Sequence, residues 1–173
     1  MPVNLELKVK LKSFRRTKKL LGEMKAEFIK TLNQKDVYYK ARGGLLKLRI
    51  ENGEESIIKY LRDEKGKDRF SHYEVLYFKD GNAEEFFNEV FSIEAVVQKK
   101  RRLFMYNNTR IHLDTVKGLG SFLELETLVL KGKPNAKKRF DEIIRLLELD
   151  KYESIRKSYR NLMIESTNDT YKR

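Results

Sequence analysis

Four carboxylates in this chain, Glu6, Asp114, Glu124 and Glu126, lie in runs where apolar and polar residues alternate, each two residues from another ionisable side chain. In N-L-E-L-K-V-K-L-K, residues 4–12, period two puts Leu5, Leu7, Val9 and Leu11 on one face of a strand. Asn4, Glu6, Lys8, Lys10 and Lys12 then share the other face. The same parity groups Lys47 with Arg49, Arg110 with His112 and Asp114, and Glu124 with Glu126. Carboxylates so grouped can hold a divalent cation that bridges phosphate oxygens and offsets the charge developing on a leaving group. The basic positions Lys8, Lys47, Arg49, Lys59, Lys99, Arg101 and Arg110 are the matching candidates for gripping a polyphosphate, whose charge must be met along its whole length. His112 shares its face with Asp114 and could touch ligand or serve the structure alone.

These residues need elements to position them. Phe14, Leu20, Leu21, Met24 and Phe28 recur at helical spacing, which predicts an amphipathic helix over residues 14–30. The stretches NQKDVYYKARGG, LLKLRIENG, ESIIKYLRDEKGK and DRFSHYEVLYFKDG then alternate between turn signals and read as antiparallel strands. Asn82 with Glu85 is a capping pair for a helix through Phe91. VVQKKRRLFMY and TRIHLDTV form a hairpin around Asn107 and Asn108, and GLGSFLELETLVL adds a strand. Pro134 starts a helix burying Phe140, Ile143, Ile144 and Leu147, and a second segment places Ile155, Tyr159, Leu162 and Met163 on one side.

The pattern is α+β. On a single strand, charges opposite apolar residues describe a sheet with one wet face. Acids and bases recurring on the same face of so many strands fit a closed barrel with a polar interior and helices packed on its apolar outside. Buried charges are tolerable there only if they pair or if a metal and an anionic ligand lie between them.

The chain has 173 residues, the length of one domain spanning 1–173, and a formal charge of +12, which points to an anionic partner. It contains no cysteine, so a disulfide framework or thiolate metal site is excluded, and oxygen ligation favours Mg²⁺ or Mn²⁺. No apolar run approaches the roughly 20 residues of a membrane span, and the start lacks a signal-peptide core, so the expected location is cytoplasmic. No Walker-type glycine loop, kinase signature, Ser-His-Asp order or zinc spacing is present.

The segments N-x-E-x-K, QKDVYYKARGGLLKLR, TRIHLDTVKGLGSFLELE and SYRNLM, in this order and spacing, resemble the CYTH family, the triphosphate tunnel metalloenzymes. That family includes class IV adenylyl cyclases, inorganic triphosphatases and thiamine triphosphatases. The resemblance covers essentially the whole chain and implies an eight-stranded antiparallel tunnel with a metal-dependent triphosphate site inside. It implies Glu6 and Glu126 or Glu124 as metal ligands, with Asp114 near a second metal position. It also implies Lys8, Lys47, Arg49, Lys59, Arg101 and Arg110 on phosphate, with Lys99 beside them, and catalysis carried by Glu6, Lys8, Arg49 and Lys59. One departure stands out: the usual opening is E-x-E-x-K, and here Asn4 replaces the first glutamate, keeping an oxygen ligand but losing a charge.

Two chemistries fit such a site. Hydrolysis needs a positioned water, whereas cyclisation needs a ribose hydroxyl as nucleophile and hence a pocket for base and sugar. The expected activity is a metal-dependent triphosphatase acting on inorganic or nucleoside triphosphates, because it requires fewer features. The alternatives are an adenylyl cyclase making cyclic AMP and pyrophosphate, and a non-catalytic polyphosphate- or RNA-binding module using runs such as RRLFMY. The partner implied is a triphosphate-containing small molecule, with homodimerisation left open and neither a membrane nor an obligatory nucleic acid.

Overall fold

The structure is a computed structural model that describes residues 3–62, 69–79 and 82–171. Eight strands run β1 (Val3–Leu11), β2 (Glu27–Tyr39), β3 (Leu45–Glu51), β4 (Glu54–Arg62), β5 (Arg69–Tyr77), β6 (Ile93–Tyr106), β7 (Thr109–Val116) and β8 (Gly120–Leu128). They pair antiparallel throughout and close in the order β1-β5-β4-β3-β2-β6-β7-β8, with β8 returning to β1. The helices are α1 (Arg15–Glu23), α2 (Ala83–Val90), α3 (Lys133–Leu146) and α4 (Tyr159–Tyr171), with a 3₁₀ turn at Leu149–Lys151. The α+β barrel with outside helices follows the expectation from the charge pattern. The turns expected within 63–68 and at Asp80–Gly81 lie outside the described residues.

The alternation of β1 is resolved by what covers each face. Leu5, Val9 and Leu11 point outward and are buried under Leu20 and Leu21 of α1 and Phe140 and Ile143 of α3, together with Ile111, Leu113, Leu123 and Leu125 of β7 and β8. Each such side chain contributes roughly 1.5–3 kcal/mol of apolar burial, so the helices lock the barrel from outside. On the other flank Val37, Tyr39, Leu48 and Ile57 pack with Ala83 and Phe87 of α2. Gly44 in the β2–β3 loop has φ of +71°, and a Cβ there would fall 2.7 Å from the Tyr60 carbonyl oxygen, so this close approach requires glycine.

Three local expectations are corrected. The first helix ends at Glu23, where Lys25 takes a positive φ of 55°, and Phe28 belongs to β2, where it is exposed. Asn82 flanks α2 without a side-chain cap; Glu55 of β4 accepts from the Ala83 and Glu84 N–H groups instead, at 2.8 and 3.1 Å. Ile155 precedes α4 in a segment without regular secondary structure, and its N–H donates to the Lys8 carbonyl at 2.8 Å. The expected β6–β7 hairpin is present, with Asn107 and Asn108 both at positive φ, as a tight twisted turn demands.

One mouth of the barrel is filled. Tyr159, at the start of α4, packs among Tyr38, Val97, Val116 and Phe122, which share parity with the lumen-facing residues of their strands.

Candidate active site

The barrel encloses a cavity of about 420 Å³. Its chemistry is divided by strand. From β3 and β6 come Lys47, Arg49, Lys99 and Arg101; from β1 and β8 come Glu6, Lys8, Glu124 and Glu126; from β7 come Arg110 and His112.

The basic side is organised by a residue that sequence reading missed. Asp36 of β2 is fully buried and accepts from Arg49 Nε and Nη2 at 2.8 and 2.9 Å, from Lys47 Nζ at 3.0 Å and from Lys99 Nζ at 2.7 Å. Burial alone would raise its pKa, but Arg49, Lys47 and Lys99 together outweigh that and hold it well below the usual carboxylate range. Burial in turn pushes Lys47 down to about 8, with repulsion from Arg49 adding to it. Lys99 is also pushed down to about 8, burial being the largest cause and Asp36 opposing it. One carboxylate thus holds three cations pointing into one space, a preorganised receptor for a polyanion.

A second knot joins the two sides. Arg101 makes a fork to Asp114, 2.7 Å from Nε, and its Nη2 also reaches Glu124; Tyr159 donates to Asp114 at 2.9 Å. Lys8 lies 3.1 Å from Glu124, donates to the Lys157 carbonyl at 3.0 Å and sits 4.0 Å from the Tyr159 ring centroid. Register explains these pairs, because Lys8 stands opposite Glu124 and Glu6 opposite Glu126 across β1 and β8, while Arg110 and His112 oppose Glu126 and Glu124 across β7.

The acidic side offers a place for a cation. Ligand atoms of His112, Glu124 and Glu126 lie within 4.8 Å of one another. Burial, with the Arg101 charge next, pushes His112 down to about 4, so its imidazole is neutral and able to donate a lone pair. Burial opposes ionisation of Glu126, yet His112, Arg110 and Arg101 bring it down to about 2, and Lys8 and Arg101 hold Glu124 well below its usual value. Both acids are therefore ionised at neutral pH. His112 Nδ1 and Asn4 Oδ1 are among the buried atoms with no hydrogen-bond partner among the described residues, and both residues line the cavity. Two ionised carboxylates beside an unpartnered imidazole nitrogen fit a divalent metal.

The expected site residues divide accordingly. Glu6, Lys8, Lys47, Arg49, Lys99, Arg101, Arg110, Glu124 and Glu126 all line the cavity. Glu6 accepts from Ser71 and lies 3.7 Å from Arg69, beside the three-residue cluster. Asp114, expected near a second metal position, accepts from Arg101 and Tyr159 through both its oxygens, and the group of close ligand atoms among the described residues is formed by His112, Glu124 and Glu126 without it. Lys59 is a correction. Ser56, Ile58 and Tyr60 face the cavity, so Lys59 points outward and is exposed. RRLFMY also splits, with Arg101 inside and Arg102 and Phe104 outside beside α1.

Gln34 and Arg69 line the cavity without having been singled out, and the available signal was parity with neighbouring strand residues. Tyr159, expected only as part of an apolar helix side, lines it as well.

Among the described residues no helix is long and apolar enough to cross a membrane. The chain is 26% identical over 171 residues to a protein of Methanocaldococcus jannaschii carrying the name "Putative adenylate cyclase", covering 92% of this chain and 98% of that one. A solved structure from Pyrococcus horikoshii, the PH1012 protein, superposes with a TM-score of 0.81 at 25% identity, over 92% of this chain and 99% of the other. An adenylyl cyclase-like protein of Hippeastrum shares the fold at 12% identity and a TM-score of 0.67, covering 96% of each chain. The sequence profile of the CYTH domain matches residues 3–159, and the chain belongs to the CYTH family.

Proposed function

We propose that this protein is a metal-dependent triphosphatase that hydrolyses a triphosphate held inside the barrel. The observation that carries this reading is the convergence of Lys8, Lys47, Arg49, Lys99 and Arg101 on one enclosed space, facing the cluster of His112, Glu124 and Glu126. A surface module for polyphosphate or RNA would have no use for buried acids among its cations. The Hippeastrum protein of the same fold is described as having a dominant triphosphatase activity, the same chemistry as the one assigned to this chain.

Glu124, Glu126 and His112 would hold the cation, with Glu6 and Asn4 close by on β1. Mg²⁺ or Mn²⁺ bound there supplies Lewis-acid polarisation of phosphate oxygens and neutralises charge. The chain's own cations fix the phosphates in line: Lys47, Arg49 and Lys99 exchange part of their hold on Asp36 for ligand oxygens, while Lys8 and Arg101 sit nearer the acids. Water attacks the terminal phosphorus and passes a proton to the orthophosphate being formed, the bond to the bridging oxygen breaks, and that oxygen leaves with the electron pair, stabilised by the fixed guanidinium and ammonium groups.

A second reading has one observation in its favour. The β4 and β5 side of the cavity carries Tyr73 and Tyr77, which could seat a base and so serve an adenylyl cyclase. Phosphorus NMR of an ATP reaction with Mg²⁺ or Mn²⁺ separates the two. Orthophosphate with ADP, abolished by EDTA and restored by metal, is the expected result; cyclic AMP with pyrophosphate would replace the hydrolase by the cyclase.

A further inference from the structure

Tyr159 touches both groups of lumenal cations. It is the first residue of α4 and is buried, with its ring centroid 4.0 Å from Lys8 Nζ and 5.6 Å from Lys99 Nζ, and its hydroxyl donates to Asp114 Oδ2 at 2.9 Å. Asp114 also accepts from Arg101, from Nε through Oδ1 at 2.7 Å and from Nη2 through Oδ2. The chain just before α4 is tied to the same lumen: the Lys157 carbonyl accepts from Lys8 Nζ at 3.0 Å, and the Ile155 carbonyl from Arg69 Nη1 at 3.3 Å.

Packing alone asks only for a phenylalanine here. The ring fills the mouth against Val97, Val116 and Phe122, edge-on to the Phe122 ring with centroids 5.2 Å apart, and these contacts do not use the oxygen. A buried hydroxyl costs free energy unless it is hydrogen-bonded, and this one is directed at a carboxylate that a guanidinium already grips. With two donors on Oδ2 and one on Oδ1, the carboxylate plane is set from β6 and from α4 together, and turning it breaks one of those bonds. A fixed carboxylate fixes the fork. Arg101 stands opposite Asp114 across β6 and β7, and its Nη2 also reaches Glu124 of the acidic cluster, so the guanidinium faces the cavity in one orientation at the boundary between the cations and the acids. Burial, with the Glu124 and Asp114 charges next, holds the Tyr159 pKa well above its usual value, so the hydroxyl remains a donor at neutral pH.

We propose that Tyr159 is a positioning residue whose hydroxyl, acting through Asp114, fixes the Arg101 guanidinium on bound phosphate. This deepens the triphosphate reading above and rests on it. The test is a double-mutant cycle read in two ways, as calorimetric affinity for a non-hydrolysable methylene analogue of ATP in Mg²⁺ and as turnover of inorganic triphosphate. Tyr159→Phe keeps the ring beside Lys8 and the packing against Phe122, so the melting temperature should stay near that of the wild type. Affinity and turnover should each fall about 10-fold, the order expected for one hydrogen bond to a charged group. In an Arg101→Lys background, where no fork remains to be held, Tyr159→Phe should cost nothing further; in a Lys8→Ala background the full 10-fold loss should return, because the hydroxyl does not act through Lys8. Undiminished affinity and turnover in Tyr159→Phe, or a loss as large in the Arg101→Lys background as in the wild type, would overturn the positioning role while leaving the triphosphatase standing. A wild type that binds the analogue without hydrolysing triphosphate would remove the hydrolase reading, and the cycle in affinity would still decide the role of Tyr159. A wild type that does neither would overturn both.

Discussion

The Arg49 guanidinium grips both oxygens of the Asp36 carboxylate, at 2.8 and 2.9 Å, in the interior of the barrel. The pair spans adjacent strands β2 and β3, where the two residues stand directly opposite. Because Lys47 and Lys99 share the same carboxylate, removing it leaves three buried cations facing one another. Asp36→Asn should cost about 3–5 kcal/mol of stability, the usual penalty for breaking a buried ion pair. A polyanion should repair part of that loss. The melting temperature of the variant should therefore rise more with added inorganic triphosphate than that of the wild type, as differential scanning fluorimetry would show. An equal rise in both proteins would mean that Asp36 does not organise the anion site.

Lys8 and Lys59 provide a contrast between lumen and exterior. Lys8 is buried beside Glu124 and Tyr159, whereas Lys59 is exposed on the outer face of β4. Lys8→Ala should lower turnover by about 10²-fold, as loss of a preorganised electrostatic contact does. Lys59→Ala should stay within about twofold of wild type, since isolated surface charges contribute little. Steady-state rates for the two variants decide it, and comparable losses would place the phosphate path elsewhere.

The pH dependence of binding follows from Lys47 and Lys99, both depressed to about 8 in the free protein. A bound polyanion favours their charged forms, so the complex binds more protons than the free protein above that pH. Binding then takes up protons, and affinity falls as pH rises through about 8, by up to tenfold per pH unit for each lysine. Titration of the methylene analogue of ATP between pH 6.5 and 9.5 should show this decline. Lys47→Arg, which keeps its charge throughout, should flatten it.

Much of the barrel was legible because period-two alternation survives in β1, β7 and β8, where outward residues are apolar and inward ones charged. Those strands supplied Glu6, Lys8, Arg110, Glu124 and Glu126 to the cavity as read. β4 defeated the same logic. In ESIIKYLR, Ile57 goes outward under α2 and Ile58 inward, so adjacent isoleucines hide the parity, and Lys59, a candidate for phosphate, lies on the outer face. Asp36, between Lys35 and Val37, carries no local sign of its role. Its meaning depends on Lys47, Arg49 and Lys99, and Lys99 is 63 residues away, brought near only by the β2–β6 pairing. Asp114 was placed on the right face, but its neighbours Arg101 and Tyr159 come from another strand and a helix, and they determine what its oxygens do.

The central claim is that a metal and a triphosphate meet inside this barrel, and diffraction from crystals soaked with Mn²⁺ and the methylene analogue of ATP tests it most directly. The account predicts an anomalous manganese peak bounded by Glu124, Glu126 and His112, with phosphate density reaching Lys47, Arg49 and Lys99. Manganese and analogue bound only on the outer surface, with the lumen filled by water, would contradict it.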